Sequence, residues 1–322
     1  MPTKSDLKQR QALPLDAKVQ MSKIRIREWY NHFDGDVYIS FSGGKDSTVL
    51  AHLVHDLYPN VPLVFSNTGL EYPEIQSFAR KMGAEFVRPK MMFSEVISKY
   101  GYPIISKDVS QVIAGARRFR NEKGSEKKGR KREFASNSTY RRAQLIGEEV
   151  FKGSVYEKTK WMPLCQETQF LMSAECCRVM KKEPLYKYQK EKNLVPYVGT
   201  LAEESKSREN EWMRTGCNAF EDKKPKSQPM SVWTEQDVLH YIKREHVEIS
   251  SVYGELVAID NNGFGYEPLP LVDCKLKCTG CQRTGCIFCA YGCHLEKGET
   301  RFQRLAKTHP KQYEYCMRGG NG

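Results

Sequence analysis

The segment 40–47, Ser-Phe-Ser-Gly-Gly-Lys-Asp-Ser, carries the residue types best suited to chemistry in this chain. It follows the apolar run 37–39 and opens a helical pattern of apolar residues over 49–57. Two glycines let a backbone turn tightly and approach a ligand, and the N–H groups of a first helical turn attract negative charge. Lys45 adds a full positive charge, and Ser42 and Ser47 add hydroxyl donors. The segment therefore predicts a cradle for phosphate or pyrophosphate.

The glycine spacing separates this segment from two common phosphate loops. A Walker A loop needs a glycine where this chain has Ile39, and the G-x-G-x-x-G spacing of dinucleotide turns is not matched. A Gly-Gly turn with a solvated lysine is the simpler alternative, but the flanking strand and helix patterns favour an anion site. The residues expected to bind the anion are Ser40, Ser42, Gly43, Gly44, Lys45, Asp46 and Ser47, and Lys45 and Asp46 are also the expected catalytic residues.

The elements around the cradle place a second polar turn beside it. Strand patterns at 37–39, 61–65 and 84–87 alternate with helical patterns, which predicts an α/β fold with a doubly wound, mostly parallel sheet. Ligands of such sheets bind outside the carboxyl ends of the strands. The second strand ends at the turn Asn67-Thr68-Gly69. We therefore expect Asn67, Thr68 and Gly69 to share a site with the cradle.

Six of the eleven cysteines fall between residues 274 and 293. Two C-x-x-C pairs, 278/281 and 286/289, are separated by four residues. Thiolates at this spacing can hold a tetrahedral zinc ion or an iron–sulfur cluster, whereas disulfides require an oxidising compartment that nothing else in the sequence suggests. The predicted metal ligands are Cys278, Cys281, Cys286, Cys289 and Cys293.

Positive charge is concentrated in one stretch of the chain. The net charge is +12, and residues 117–132 hold nine lysines and arginines against two glutamates. Glycines within this stretch indicate a loop, which is either simply solvated or a contact surface for phosphate backbones. The candidate nucleic-acid contacts are Arg117, Arg118, Lys127, Lys128, Arg130, Lys131 and Arg132.

The chain has no apolar run long enough to span a membrane, and residues 1–20 lack the apolar core of a signal peptide. We expect a cytoplasmic protein without membrane partners.

Several ordered segments resemble the PP-loop of the N-type ATP pyrophosphatases and, within them, the phosphoadenosine phosphosulfate (PAPS) and adenosine phosphosulfate reductases. The matching segments are 40–47, 65–74, Cys176-Cys177-Arg178 with Lys181 and Pro184-Leu185, Gly199 with Glu204-Ser205 and Arg208, and 233–238. This resemblance implies an adenine nucleotide, ATP or PAPS, bound in the PP-loop, with Glu204 and Arg208 contributing to its site. Asn67 departs from the aspartate usual in the family, and the reductases' terminal Glu-Cys-Gly is missing.

The resemblance also bears on the cysteines and on the domains. Residues 283–289 resemble an Arg-Phe-Gly-Cys-x-x-Cys segment of iron–sulfur relatives that act in DNA phosphorothioation, which favours a 4Fe-4S cluster over zinc. Cys176 and Cys177 could then be ligands, a redox pair or buried apolar residues, and Cys316 stands where reductases keep their nucleophile. The predicted domains are a helical segment at 1–35, a nucleotide-binding domain at 36–255 with an insertion at about 110–165, and a metal region at 256–322.

Three functions follow from these observations. The first is sulfonucleotide reduction, with a thioredoxin-type donor supplying electrons. The second is ATP-dependent adenylation followed by sulfur transfer to DNA or tRNA, with a cysteine desulfurase as donor. The third is a non-catalytic nucleotide-binding module with structural zinc. The oligomeric state stays open, with a homodimer as one option.

Overall fold

The computed structural model describes residues 2–118, 137–166, 170–259, 265–266 and 274–318. Five residues of the predicted nucleic-acid surface, Lys127, Lys128, Arg130, Lys131 and Arg132, lie outside these ranges.

The α-helices are α1 (Lys4–Gln11), α2 (Leu15–His32), α3 (Lys45–His55), α4 (Pro73–Lys81), α5 (Phe93–Tyr100), α6 (Lys107–Arg118), α7 (Asn137–Ile146), α8 (Met162–Gln166), α9 (Glu175–Cys177), α10 (Glu183–Lys192), α11 (Lys206–Thr215), α12 (Glu235–Arg244), α13 (Arg301–Thr308) and α14 (Pro310–Met317). The strands are β1 (Val37–Phe41), β2 (Leu63–Ser66), β3 (Glu85–Val87), β4 (Ile104–Ile105), β5 (Val195–Val198), β6 (Asn218–Ala219), β7 (Lys226–Ser227), β8 (Leu256–Ile259), β9 (Gly265–Tyr266), β10 (Lys275–Cys278) and β11 (Ala290–Tyr291).

The chain divides into two compact units, each made of two stretches of sequence. The first unit comprises Met1–Arg88 and Pro184–Gly285, and the second comprises Pro89–Glu183 and Cys286–Gly322. The division between Gly285 and Cys286 falls between the two C-x-x-C pairs.

A six-stranded sheet forms the centre of the first unit, in the order β3-β2-β1-β5-β7-β6. All neighbouring strands are parallel except β6 and β7, which are antiparallel. The predicted fold class, an α/β fold with a mostly parallel central sheet, is confirmed. Phe41 at the end of β1 is in register with Phe65 of β2, and Ser40 is in register with Val198 of β5. The carboxyl ends of these three strands therefore reach the same edge of the sheet at the same level.

The helix α3, which begins at the cradle, packs its apolar face against this sheet. Val49, Leu50, Leu53 and Val54 are fully buried, and burying each such side chain stabilises the fold by about 1.5–3 kcal/mol. Their spacing puts them on one helical face, as the sequence pattern predicts. The start of α3 is thereby fixed at the end of β1.

Two buried polar contacts attach α2 to the segment that leads into α12. The Lys18 ammonium donates to an Asp237 carboxylate oxygen at 2.6 Å, and Lys18 is only 2 % exposed. The Trp233 indole N–H donates to the Ser22 hydroxyl at 2.9 Å, and that hydroxyl donates to the Pro229 carbonyl. These contacts satisfy groups that would otherwise be costly to bury.

The second unit is mainly helical around a short parallel ladder of β4 and β11. Its helices α6 and α7 enclose small apolar clusters that include Val112, Ala116 and Leu145. A π-helical turn, Arg178–Lys182, directly follows α9. No helix in the parts of the chain that the structure describes is long and apolar enough to cross a membrane.

Candidate anion site and cysteine group

The loop between β1 and α3 requires glycine at position 43. Gly43 has a φ of +70°, and a Cβ there would lie 2.8 Å from Cγ2 of Ile75. Gly44 is the N-cap of α3, in extended conformation. The Ser42 N–H donates to the Ser47 hydroxyl at 3.2 Å, and the two hydroxyls share a hydrogen bond at 3.0 Å. The loop is therefore closed on itself, with the N-terminus of an eleven-residue helix behind it.

The neighbouring strand β5 approaches this loop through another glycine. A Cβ at Gly199 would lie 3.0 Å from the Asp46 carbonyl oxygen and 3.1 Å from the Ser47 nitrogen. Both contacts are tighter than ordinary packing, so a side chain at position 199 would push β5 away from the cradle. This explains in physical terms why glycine stands there.

Lys45 is the central cation of the site and is only 6 % exposed. Its backbone N–H donates to the Tyr253 hydroxyl at 3.1 Å. Its ammonium donates to Oε1 of Glu235 at 2.5 Å and to the Gln282 carbonyl at 2.9 Å. The Tyr253 hydroxyl also shares a hydrogen bond with Oγ1 of Thr284 at 2.6 Å. The sequence analysis did not assign Glu235, Tyr253, Gln282 or Thr284 to the site.

Asp46 is a half-buried carboxylate whose Oδ1 is shielded from solvent. Its Oδ1 has no hydrogen-bond partner among the described residues. Burial raises the pKa of Asp46, the Lys45 charge opposes that rise, and Glu235 adds to it. Arg208 and Arg283 also oppose the rise. The site therefore combines one lysine, two arginines and two carboxylates in a small volume.

Glu204 and Arg208 form an ion pair next to Asp46. Burial lowers the pKa of Arg208, and the Asp46 charge raises it again. The Ser205 hydroxyl accepts the Arg208 N–H at 3.4 Å and caps α11. Both residues that the family resemblance assigned to the nucleotide site thus lie close to the cradle.

The Asn67 turn is organised by its own side chains. The Asn67 side-chain oxygen accepts the Gly69 N–H at 3.1 Å, and Gly69 has a φ of +76°. The Thr68 hydroxyl donates to Oε1 of Glu71 at 2.6 Å. Because β1 and β2 are in register at Phe41 and Phe65, the turn leaves the sheet at the same edge as the cradle.

Four thiols from two cysteine pairs lie close together in the second unit. Burial raises the pKa of Cys176 well above its usual range, and the neighbouring thiols of Cys286, Cys177 and Cys289 raise it further. The Cys289 N–H donates to the Cys286 carbonyl at 2.9 Å, which closes the C-x-x-C turn. Burial also raises the pKa of Cys289, and the Tyr291 N–H lowers it. We call Cys176, Cys177, Cys286 and Cys289 the four-thiol group.

The other predicted metal ligands are distributed over both units. Cys278 is buried at the end of β10 and Cys281 follows it, both in the first unit, and Cys293 begins a 3₁₀ turn in the second. Across the described ranges, no three histidine, cysteine, aspartate or glutamate side chains are arranged to ligate a single metal ion. No disulfide joins any of the eleven cysteines, all of which the structure describes. The predicted ligand set stays a prediction.

Cys316 lies on α14 and is half-buried. Burial raises the pKa of this thiol to about 12, whereas a nucleophilic cysteine needs a lowered pKa. In the conformation described here, burial therefore disfavours the thiolate of Cys316.

Arg117, a candidate nucleic-acid contact, serves the fold of the second unit. Its guanidinium donates to the carbonyl oxygens of Leu164, Cys165 and Phe170. These bonds hold two segments of chain against α6. Arg118, the next residue, is exposed.

Comparison with known proteins identifies the family. The model of the phosphoadenosine phosphosulfate reductase domain matches residues 36–101 and 148–291, which is well over half of the chain. The protein belongs to the phosphoadenosine phosphosulfate reductase family. The unmatched stretch between the two matches contains the basic run 117–132.

Among solved structures, the chain is similar to a phosphoadenylyl-sulfate (PAPS) reductase from Candida auris in a phosphate complex. The identity is 13 % and the TM-score 0.37, over 78 % of this chain and 91 % of that one. A likeness this low supports no inference. No curated protein matches the chain.

Proposed function

We propose that this protein is a sulfonucleotide reductase that binds the phosphosulfate of an adenine nucleotide at the PP-loop. The observation that carries the proposal is the grouping of Lys45 and Arg208 around the N-terminus of α3, within the region that matches the reductase family. Two cations and a set of first-turn N–H groups suit a polyanionic phosphosulfate. The family membership supports an enzyme acting on such a nucleotide.

The reaction needs two thiols as the source of two electrons. A thiolate attacks the sulfate sulfur, the bond between that sulfur and the bridging oxygen breaks, and the nucleotide leaves as its phosphate. A second thiol then attacks the resulting S-sulfocysteine, which forms a disulfide and releases sulfite. A dithiol donor of the thioredoxin class restores the first thiol. If Cys316 is the attacking thiol, the protein must adopt a conformation that exposes it, because burial disfavours its thiolate.

We further propose that the four-thiol group holds a 4Fe-4S cluster. Three neighbouring thiols are close enough to raise the pKa of Cys176, and together with Cys176 they are the four donors that such a cluster needs. Each cysteine of a four-iron cluster binds a different iron, so its sulfurs stay farther apart than around one zinc ion. The positive charge of a bound iron–sulfur core would offset the mutual repulsion of the four thiolates.

Arg301 and Glu296 form hydrogen bonds next to the four-thiol group. The Arg301 guanidinium donates to the Cys289 carbonyl at 3.2 Å, and the Glu296 carboxylate accepts from Arg301. Partners of this kind orient the ligands of a metal centre. These contacts fix the direction of the Cys286–Cys289 turn.

The raised pKa of the Cys316 thiol favours one alternative, ATP-dependent adenylation of a nucleic-acid target. That reaction needs no cysteine nucleophile near a terminus, because the target oxygen attacks the α-phosphate of ATP and pyrophosphate leaves. Sulfur would then come from a separate donor. The distinguishing experiment gives anaerobically purified protein either PAPS or ATP and measures sulfite and pyrophosphate. Sulfite from PAPS supports the reductase, and pyrophosphate from ATP without sulfite supports the alternative.

A further inference from the structure

Oxygen atoms of the protein accept hydrogen bonds from both the backbone N–H and the ammonium of Lys45. The backbone N–H donates a hydrogen bond to the Tyr253 hydroxyl, and the ammonium donates hydrogen bonds to the Glu235 carboxylate and the Gln282 carbonyl. The Tyr253 hydroxyl lies on the face of the loop, because a Cβ built on Gly44 would be 3.3 Å from it. These oxygens occupy the side of the helix N-terminus where an anion is expected.

Tyr253 is held firmly in this position. Its side chain is 2 % exposed, and its carbonyl accepts the Gly280 N–H at 2.8 Å. A Cβ at Gly280 would lie 2.4 Å from the Val252 carbonyl oxygen, so the two turns approach closely. Burial raises the pKa of Tyr253 to about 12, so its hydroxyl is neutral at physiological pH. It accepts one hydrogen bond from Lys45 and shares another with Thr284.

A phosphate or sulfate oxygen in the cradle needs the same donors. A backbone N–H makes one good hydrogen bond, so an anion that uses the Lys45 N–H must replace the Tyr253 hydroxyl there. The ammonium has three donors, but the Glu235 carboxylate beside it repels any incoming anion. Anion binding and the contacts of Tyr253 and Glu235 are therefore mutually opposed.

We propose that Tyr253 and Glu235 set the anion affinity of the cradle by competing with the ligand for Lys45. This inference rests on the proposed function of the PP-loop. Substituting a residue that contacts the ligand lowers the anion affinity, whereas substituting Tyr253 or Glu235 should raise it. Removing the Tyr253 hydroxyl leaves the Lys45 N–H unsatisfied until an anion binds, and an unsatisfied buried donor is costly. Neutralising Glu235 removes a charge that repels the anion.

The test is calorimetric titration of the full chain with inorganic pyrophosphate and with adenosine 5′-phosphosulfate. The Tyr253→Phe variant deletes one oxygen and keeps the ring. We expect its dissociation constants to fall by about twofold to tenfold, the range of one net hydrogen bond. We expect the Glu235→Gln variant to bind more tightly as well, by about tenfold, because a like charge is removed from the anion site.

The matched control is Tyr241→Phe. Tyr241 is 3 % exposed, lies in the same unit, and its hydroxyl is bonded to Nδ1 of His52 at 2.9 Å. Its substitution should leave both dissociation constants unchanged. Circular dichroism of each variant verifies that the fold is intact.

Each outcome decides the matter. Tighter binding in Tyr253→Phe and Glu235→Gln but not in Tyr241→Phe supports the competition. Unchanged or weaker binding in both variants overturns it, and wild-type binding that Lys45→Ala abolishes would then leave the proposed PP-loop function standing. If neither the wild type nor the two variants show Lys45-dependent binding, the competition and the proposed function both fail.

Discussion

At the scale of single residues, the adjacent residues Lys45 and Asp46 differ in whether their polar atoms have hydrogen-bond partners. Lys45 is buried with acceptors for both its backbone N–H and its ammonium. Asp46 is half-buried, and its solvent-shielded Oδ1 has no hydrogen-bond partner among the described residues. A buried charge without a partner costs folding free energy, and such costs concentrate at functional sites. The two residues therefore lead to different experiments.

Replacing Lys45 with alanine removes the ammonium from the cradle. Charge-assisted hydrogen bonds are worth about 1.5–3 kcal/mol, so we expect nucleotide affinity to fall about tenfold or more in calorimetric titrations. Lys23→Ala is the control, because Lys23 pairs with Asp56 in the same unit and takes no part in the cradle. Equal affinities of wild type and Lys45→Ala would show that the loop does not bind the anion.

Replacing Asp46 with asparagine tests the pKa shift through stability. Burial raises the folded-state pKa of Asp46 above its ordinary value of 3.8, so its favourable contribution is complete below that value and is lost as the pH rises through the folded pKa. The free energy of unfolding of Asp46→Asn, minus that of wild type, should therefore increase as the pH rises above about 4. Denaturant unfolding at several pH values measures this difference.

Asp56 provides a control of opposite sign for that experiment. The hydrogen bond from Lys23 lowers the pKa of Asp56, so its contribution is present above the ordinary pKa and is lost as the pH falls. Asp56→Asn should become less stable relative to wild type as the pH rises. A pH-independent difference for Asp46→Asn would contradict the shift.

At the scale of elements, the cradle depends on how α3 and α12 begin. The order strand, glycine loop and amphipathic helix is local, so the sequence predicts β1, the loop and α3. The partners of Lys45 lie far along the chain: Glu235 is 190 residues away, Tyr253 is 208 and Gln282 is 237. No periodicity or spacing reports contacts over such distances, because tertiary packing alone creates them. The segment 233–238 resembles the reductase family, but nothing in it marks Glu235 as a partner of Lys45.

The start of α12 gives a prediction at this scale. The Thr234 hydroxyl accepts the Asp237 N–H at 3.2 Å, and the Asp237 carboxylate accepts the Thr234 N–H at 2.6 Å. Loss of such a cap costs about 0.5–2 kcal/mol, so Thr234→Ala should lower the free energy of unfolding by that amount in urea titrations. Thr234→Ser keeps the hydroxyl and should restore most of it. If the serine and alanine variants are equally unstable, the cap is not the cause.

At the scale of the whole molecule, each of the two units has its own chemical feature. The first unit contains the cradle on its parallel sheet, and the second contains the four-thiol group. The sequence indicates a metal from the two C-x-x-C pairs, because their spacing is local. It leaves the role of Cys176 and Cys177 open, because more than a hundred residues separate them from Cys286. The structure brings these pairs together within one unit.

The four-thiol group predicts a visible property of the intact protein. Purified without oxygen, the wild type should be brown and contain about four irons per chain, as a cluster with four cysteine ligands requires. Cys176→Ser or Cys286→Ser should lose iron and colour, whereas Cys217→Ser should keep both, since Cys217 is buried in the first unit. Iron analysis and the visible spectrum check this. A colourless protein with one zinc, or a coloured Cys176→Ser variant, would contradict the assignment.

We propose that the PP-loop presents a phosphosulfate for reduction, and the sulfite released from PAPS and from adenosine 5′-phosphosulfate tests this proposal most directly. The assay uses anaerobically purified full-length protein with a thioredoxin-type dithiol donor. We predict one sulfite for each donor disulfide formed with at least one of the two nucleotides, and no sulfite with Lys45→Ala. No sulfite from either nucleotide, with pyrophosphate released from ATP instead, would contradict the claim.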